Sequence, residues 1–191
     1  LSAFFPEAKE RTVREIEKRS GYSHERVYTI LNNLEQKEVL LKRRIGRTLL
    51  FSIRRFDDIL FLAFINYALE RKQNFVKGYS AVGRVIEEFI KLGKLEFAIL
   101  FGSYSKDEAQ HKSDIDILCM TKCSDPEKVA LGLRHKHNRQ IAPLLIEKDD
   151  FVNIRLENPV FWEELVKFGV IFKGYEIFFD YVYRWSQKEN I

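Results

Sequence analysis

Cysteine is nearly absent from this chain: of 191 residues only Cys119 and Cys123 carry a thiol, and no second pair accompanies them. That scarcity excludes a disulfide framework and a multi-ligand zinc module. A C-x-x-x-C spacing alone leaves metal ligation and redox pairing open, and buried reduced thiols are the favoured reading. Long apolar runs are missing too. The longest unbroken one, Ile59 to Ile65, is far short of the roughly 20 residues a membrane helix needs, so no membrane partner is expected. No signal-peptide pattern opens the chain, which makes the cytoplasm the default location. Leu1 stands where a methionine would begin a gene product, so a few upstream residues are expected. Repeats and low-complexity tracts are lacking, and 46% hydrophobic with 31% charged residues describes an ordinary globular protein.

The charge that is present is unevenly placed. Residues 1–56 carry a net +6, the remainder −2, for the overall +4. A basic front joined to a slightly acidic body suggests two modules, the first facing a polyanion; a merely solvated surface is the plain alternative. Val13 and Ile16 share a face of a short helix over 9–20, and Ser20-Gly21-Tyr22-Ser23 supplies a turn and an N-cap. A second helix from Ser23 to about Lys37 buries Val27, Ile30, Leu31 and Leu34. The period then changes: 39–42 and 48–53 alternate around the basic turn Arg43-Arg44-Ile45-Gly46-Arg47, which reads as a β-hairpin. Two helices followed by a basic hairpin resemble the winged helix-turn-helix of many prokaryotic DNA-binding proteins, with 1–5 left to represent the first helix. The resemblance implies double-stranded DNA as a partner. Ser23, His24, Thr29, Asn32 and Asn33 would lie on or near the recognition helix, and Lys42, Arg43, Arg44 and Arg47 on the wing. A winged helix used only for protein contact is the competing reading.

Residues 56–74 form an apolar helix that joins the modules and offers a homodimer contact, although packing within the chain is the simpler account. A further helix spans about 80–92. Beyond Lys94 the pattern turns to mixed strands and helices: a strand buried on both faces over 95–101, a second over 115–120, a helix over 125–138, a third strand over 141–146 and a helix over 158–169.

The informative stretch is Phe101-Gly102-Ser103-Tyr104-Ser105-Lys106-Asp107, followed by Ser113-Asp114-Ile115-Asp116-Ile117-Leu118. A glycine at the end of a buried strand lets backbone N–H groups approach an anion, and the Ser103 hydroxyl adds a donor. Asp114 and Asp116, two apart on an expected strand, would share one face. Two carboxylates so placed repel, and a hard divalent cation relieves the repulsion, since Mg²⁺ binds one or two carboxylates together with substrate phosphates. A surface turn followed by two capping aspartates is the structural alternative. Gly-Ser, ten intervening residues and Asp-x-Asp resemble the signature of the DNA polymerase β-like nucleotidyltransferases, above all their minimal prokaryotic members, which include proteins of toxin–antitoxin pairs and antibiotic-modifying relatives. The similarity covers roughly residues 80–175. It implies that Gly102 and Ser103 bind the triphosphate of an NTP, with ATP the first choice. It also implies that Asp114 and Asp116 ligate Mg²⁺ or Mn²⁺ and serve as the catalytic acids.

Two departures stand out. Minimal members often carry glycine where this chain has Asp107. Active members place a third carboxylate on a later strand, whereas 140–147 here reads QIAPLLIE, with Glu147 the nearest acid. Asp149 and Asp150 suit the start of the next helix. His135 and His137 are weak ligand candidates because, two apart on a helix, they face different ways. Lys106 is either a phosphate contact or an ordinary loop lysine.

The expected architecture is therefore α+β: a winged helix-turn-helix over 1–55, a connecting helix over 56–79, and an α/β nucleotidyltransferase-type mixed sheet flanked by helices over 80–191. Two functions fit. One is transfer of a nucleoside monophosphate to an acceptor hydroxyl, coupled to a DNA-binding winged helix. The other is a DNA-binding transcriptional regulator whose transferase-like domain is catalytically inactive.

Overall fold

A computed structural model describes residues 1–6, 9–54, 58–111, 113–122 and 125–188. Cys123 lies outside the described residues. The chain forms two compact units, residues 1–67 with 179–191, and residues 68–178.

In the first unit a 3₁₀ turn at Ser2–Phe4 precedes β1 (Arg11–Thr12) and α1 (Val13–Ser20). The helix begins later than periodicity suggests because Thr12 caps it. Its hydroxyl accepts from the Glu15 amide at 3.2 Å while the Glu15 carboxylate accepts from the Thr12 amide at 2.7 Å, a complete capping box. Glu15 is held below the usual carboxylate range chiefly because its carboxylate accepts from the Thr12 amide and, at 2.8 Å, from the Thr12 hydroxyl. Gly21, at φ 70°, ends α1. α2 (His24–Gln36) follows, and β2 (Leu40–Ile45) turns back into β3 (Thr48–Ile53). The sheet order is β1-β3-β2, with β1 and β2 both antiparallel to β3. Ile16, Val27, Leu31, Leu40 and Phe51 are buried, whereas Ile30 is exposed rather than in the core. Beyond Leu40, β2 exposes every residue. Phe5, Phe64 and Phe179 form an aromatic cluster with ring centroids 5.5 to 6.1 Å apart.

In the second unit α4 (Ser80–Leu92), β4 (Phe97–Phe101), a single helical turn α5 (Gly102–Ser105) and β5 (Ile115–Met120) come first. They are followed by α6 (Pro126–His137), β6 (Ile141–Leu145), α7 (Lys148–Glu157), α8 (Pro159–Phe168) and β7 (Val170–Lys173). The helices α3 (Asp58–Gly78) and α9 (Tyr175–Lys188) each have one end in this unit. The sheet order is β6-β5-β4-β7; β4 runs antiparallel to β5 and β7, and β6 runs parallel to β5. This is the mixed α+β arrangement with a helix-flanked mixed sheet that the pattern of elements implies. Pro143 is tolerated in β6 because that strand is an edge.

Alternation along the strands sorts their side chains onto two faces. Ala98, Leu100, Ile115, Ile117, Cys119 and Ile141 pack with α4 and α6 through Val85, Ile86, Phe89, Ala130 and Leu133. Phe97, Ile99 and Phe101 point the other way, towards α7 and α8: Phe97 meets Phe151 at 5.0 Å and Phe101 meets Phe161 at 5.2 Å. Both faces of β4 are thus covered, which explains its uninterrupted apolar sequence. The Cys119 thiol is fully buried, and burial pushes it up to about 11, so it is inert at neutral pH.

Among the described residues, the buried Tyr175 hydroxyl has no hydrogen-bond partner. Burial, and then the Glu87 charge, push it up to about 12. Because an unsatisfied buried hydroxyl carries an uncompensated desolvation cost, Tyr175→Phe is expected to stabilise the protein by about 1 kcal/mol. Urea unfolding checks this, and a destabilised variant would mean that the hydroxyl is satisfied in solution. No helix among the described residues is long and apolar enough to cross a membrane.

Candidate functional site

Phe101 lies opposite Asp116 in the β4–β5 ladder, so the strand end that carries the Gly-Ser bend and the strand start that carries the second aspartate are neighbours by register. Gly102 then turns the chain with φ 69° into α5. A Cβ built on Gly102 would lie 2.2 Å from Asp116 Oδ2 and 3.1 Å from its Cγ. The carboxylate therefore occupies the space that any other residue at 102 would fill, and the glycine is required twice, by its backbone angle and by the approach of Asp116. Ser105 Oγ donates to the Gly102 carbonyl at 2.9 Å, and the Glu108 amide donates to the Ser103 carbonyl at 2.9 Å, which closes the bend. Tyr104 anchors it from below: its side chain is buried, and its hydroxyl accepts from Arg139 Nη1 at 3.0 Å. Ser103 itself is half-buried at the surface of the bend.

The acid pair differs in detail from the sequence expectation. Asp116 is in the ladder and half-buried, but Asp114 precedes β5 by one residue and is exposed. The two still share a neighbourhood. Asp116 is pushed above the ordinary carboxylate value by burial first, then by Asp114, then by Glu164. A carboxylate that takes up a proton too readily for these reasons is one that a cation would relieve. Among the described residues no group of three or more His, Cys, Asp or Glu side chains is arranged to hold a metal ion. Two aspartates beside a glycine bend would suit Mg²⁺ or Mn²⁺ of the kind completed by substrate oxygens. They would not suit an all-protein cage.

Glu147 is in the wrong place to complete the pair. β6 runs parallel to β5 with Ala142 beside Asp116 and Leu145 beside Cys119, so Glu147 lies beyond the far end of the strand, at the N-cap of α7. The positions of β6 that share the Asp116 face are Ala142 and Leu144, neither acidic. Asp149 and Asp150 sit in the first turn of α7, as their sequence context implies. Glu164 on α8 escaped sequence reading because helix α8 reaches the site only through tertiary packing. Its carboxylate is 3.0 Å from Lys106 Nζ.

Asp107, at the position often held by glycine, adopts φ 61°, a left-handed conformation that aspartate tolerates better than most residues. The Tyr79 hydroxyl donates to its carboxylate. His137 pairs with Glu88 at 2.9 Å and Lys136 with the same carboxylate at 2.5 Å, while His135 is exposed, so these histidines do not converge on a metal.

In the first unit, Ser23, His24, Thr29 and Asn33 are exposed on or before α2, and Asn32 is half-buried. His24 pairs with Glu17 at 2.5 Å, Thr29 Oγ1 donates to the Glu25 carbonyl at 2.9 Å, and Lys42 Nζ donates to Asn32 Oδ1 at 3.2 Å. On the hairpin Arg43 is clamped by Glu10 at 2.5 Å, and Arg44 and Arg47 are exposed.

No curated protein matches the chain. A crystal structure of a toxin–antitoxin with AMP-PNP is similar to it at 22% identity, covering 55% of this chain and 86% of that one, with a TM-score of 0.39. A structure of a mutant toxin–antitoxin MntA–HpeT is similar at 20% identity over 54% and 85%, with a TM-score of 0.38. Residues 84–176, which include β4, the Gly102–Ser103 bend, β5 and α8, match the family described as polymerase beta, nucleotidyltransferase.

Proposed function

We propose that the unit of residues 68–178 is a nucleotidyltransferase that moves a nucleoside monophosphate from an NTP, ATP in the first instance, onto an acceptor hydroxyl. The observation that carries this reading is the space at Gly102, filled by the Asp116 carboxylate. It puts the glycine bend and the acid in direct contact. Gly102 and Ser103 hold the triphosphate through backbone amides and the serine hydroxyl. Asp114 and Asp116 hold Mg²⁺ or Mn²⁺. When bound, such an ion supplies Lewis-acid stabilisation of charge at the reacting phosphate. The protein with labelled NTP, Mg²⁺ and candidate hydroxyl acceptors is expected to form a labelled adduct with release of pyrophosphate, and Asp116→Asn to slow it on the order of a thousandfold. Label transfer at the wild-type rate in the variant would sink this assignment.

The first unit is read as a winged helix that binds double-stranded DNA and so places the transferase on or near a DNA site. In support, α2 exposes Ser23, His24, Thr29 and Asn33, and the hairpin exposes Arg44 and Arg47. Binding would exchange the Lys42–Asn32 and Arg43–Glu10 pairings for interactions with DNA. A side chain that neutralises one phosphate adds about 0.9 to the slope of log affinity against log salt. Arg47→Ala is accordingly expected to weaken duplex binding and to lower that slope by about 0.9 in a fluorescence-anisotropy titration. An unchanged slope would remove Arg47 from the interface. An inactive transferase-like domain on a DNA-binding regulator is the second reading, favoured by the acid-free face of β6. Duplex binding with no label transfer to any acceptor would select it.

A further inference from the structure

We propose that Glu164, carried by helix α8, is the proton acceptor for the attacking hydroxyl, taking the part that a carboxylate on β6 would otherwise play. The proposal rests on the transferase reading above and concerns the same site. Three features of the packing put the residue there; the first two are links of one chain and the third is separate. The Phe161 ring stands edge-on to Phe101 at 5.2 Å, which fixes the start of α8 over the end of β4. Phe101 is the register partner of Asp116, and paired residues of an antiparallel ladder show their side chains on one face. Glu164 follows Phe161 by three residues, so it lies on the same side of the helix. The third feature is the ion pair: Glu164 Oε1 stands 3.0 Å from Lys106 Nζ, which itself emerges directly after the Gly102–Ser105 turn.

Burial completes the picture. Both side chains of the pair are about three-quarters sheltered, at 26% and 27% exposure, so neither is a floppy surface group. Lys106 Nζ also sits 5.9 Å from the Phe168 ring, one helical turn past Glu164. The distinction from a metal ligand matters: Glu164 is not grouped with the two aspartates as a third donor, and nothing in its placement requires it to touch the ion. A carboxylate beside the metal-holding pair, but not part of it, is where an acceptor hydroxyl entering from solvent would meet a base. The Lys106 ammonium keeps that carboxylate in place.

The step balances without further reactants. The acceptor O–H gives its proton to Glu164 as its oxygen forms a bond to the α-phosphorus. The bond from the α-phosphorus to the bridging oxygen breaks, and pyrophosphate leaves with that electron pair. Glu164 returns the proton to solvent.

Two measurements on the full chain test this. In single-turnover transfer, Glu164→Gln is expected to lower the rate by about 10²–10⁴ while the affinity for a non-hydrolysable NTP with Mg²⁺, read by calorimetry, stays unchanged. Lys106→Met is the control. If Glu164 merely orients Lys106, the two variants will lose nucleotide affinity alike and the double variant will be no slower than either, which overturns the proposal. Wild-type turnover in Glu164→Gln, with Asp116→Asn inactive, overturns it too and leaves the transferase reading standing. The second measurement needs no turnover. Fe²⁺ loaded in place of Mg²⁺, with ascorbate and peroxide, cuts backbone near the ion. Cuts are expected at the Gly102 bend, around Asp114–Asp116 and in α8 around Glu164. Cutting at the first two without α8 removes Glu164 from the site. Absence of any metal-dependent cut means that the aspartates hold no ion, and the transferase reading falls together with this one.

Discussion

Replacing Gly102 with alanine is expected to damage function far more than stability. The backbone at 102 is left-handed at φ 69°, a conformation that costs an alanine about 1–2 kcal/mol. The added methyl would also sit 2.2 Å from Asp116 Oδ2, a distance no real pair of atoms tolerates. Asp116 has a short side chain, so the relief open to it is rotation of the carboxylate away from the bend. The fold survives that rotation; the site does not. Misplacing a reacting group by about 1 Å can cost on the order of a hundredfold in rate, and the expected loss of nucleotidyl transfer in Gly102→Ala is at least that large. The control is Gly21→Ala. Gly21 has nearly the same backbone angle, φ 70°, yet nothing lies within 4 Å of the place a Cβ would take. It should therefore show a similar loss in urea unfolding and no loss of transfer. Equal effects of both substitutions on transfer would mean that the close approach of Asp116 to Gly102 has no part in the chemistry.

The same close approach explains what could be read in advance and what could not. The strands over 97–101 and 115–120 were legible because their residues are apolar on both faces or alternate cleanly, and the Gly-Ser bend because glycine after a buried strand has few other uses. Helices α4, α6 and α8 announced themselves by punctuation: Gly93 after the first, Asp125-Pro126 and Asn158-Pro159 at the starts of the others. Four features escaped. The two-residue strand β1 is held only by pairing with β3, a partner distant in sequence. β7, Val170–Lys173, is four residues long, too short to show a period. Asp114 falls one residue ahead of its strand, although a two-residue spacing placed it inside. Glu164 is the most instructive omission. On its own helix it is one acid among Glu163 and Glu164, and only the packing of Phe161 on Phe101 turns one of these towards Asp116. Strand residues advertise their face by alternation; a helix that crosses a sheet does not say in sequence which of its turns meets the site.

Asp116→Asn should change stability and activity in opposite directions, and the sign follows from the direction of the Asp116 shift. Its carboxyl is raised by burial, by Asp114 and by Glu164. A carboxyl whose folded value lies above its unfolded value binds more protons folded than unfolded. Its contribution to stability is therefore fully present at low pH and is lost as pH rises through the folded value. At neutral pH without divalent ions, the ionised Asp116 is a burden on the fold. Asparagine, isosteric and uncharged, removes that burden, so the metal-free variant is expected to melt above wild type at pH 7. Below the carboxylate range the difference should vanish. Glu15, lowered by its bonds to Thr12, has the opposite slope and is unchanged in the variant, so the difference curve isolates Asp116. Mg²⁺ reverses the order. An ion that binds only the folded state stabilises by mass action, and wild type gains from it while Asp116→Asn gains little or nothing. Transfer, in contrast, should fall on the order of a thousandfold, the several kcal/mol that a correctly held metal supplies to the transition state. Thermal melts across pH, with and without Mg²⁺, read both signs in one series. A metal-free variant that melts below wild type would show that the ionised Asp116 does not burden the fold, and equal Mg²⁺ stabilisation of both proteins would show that the Asp114–Asp116 pair is not where the ion goes.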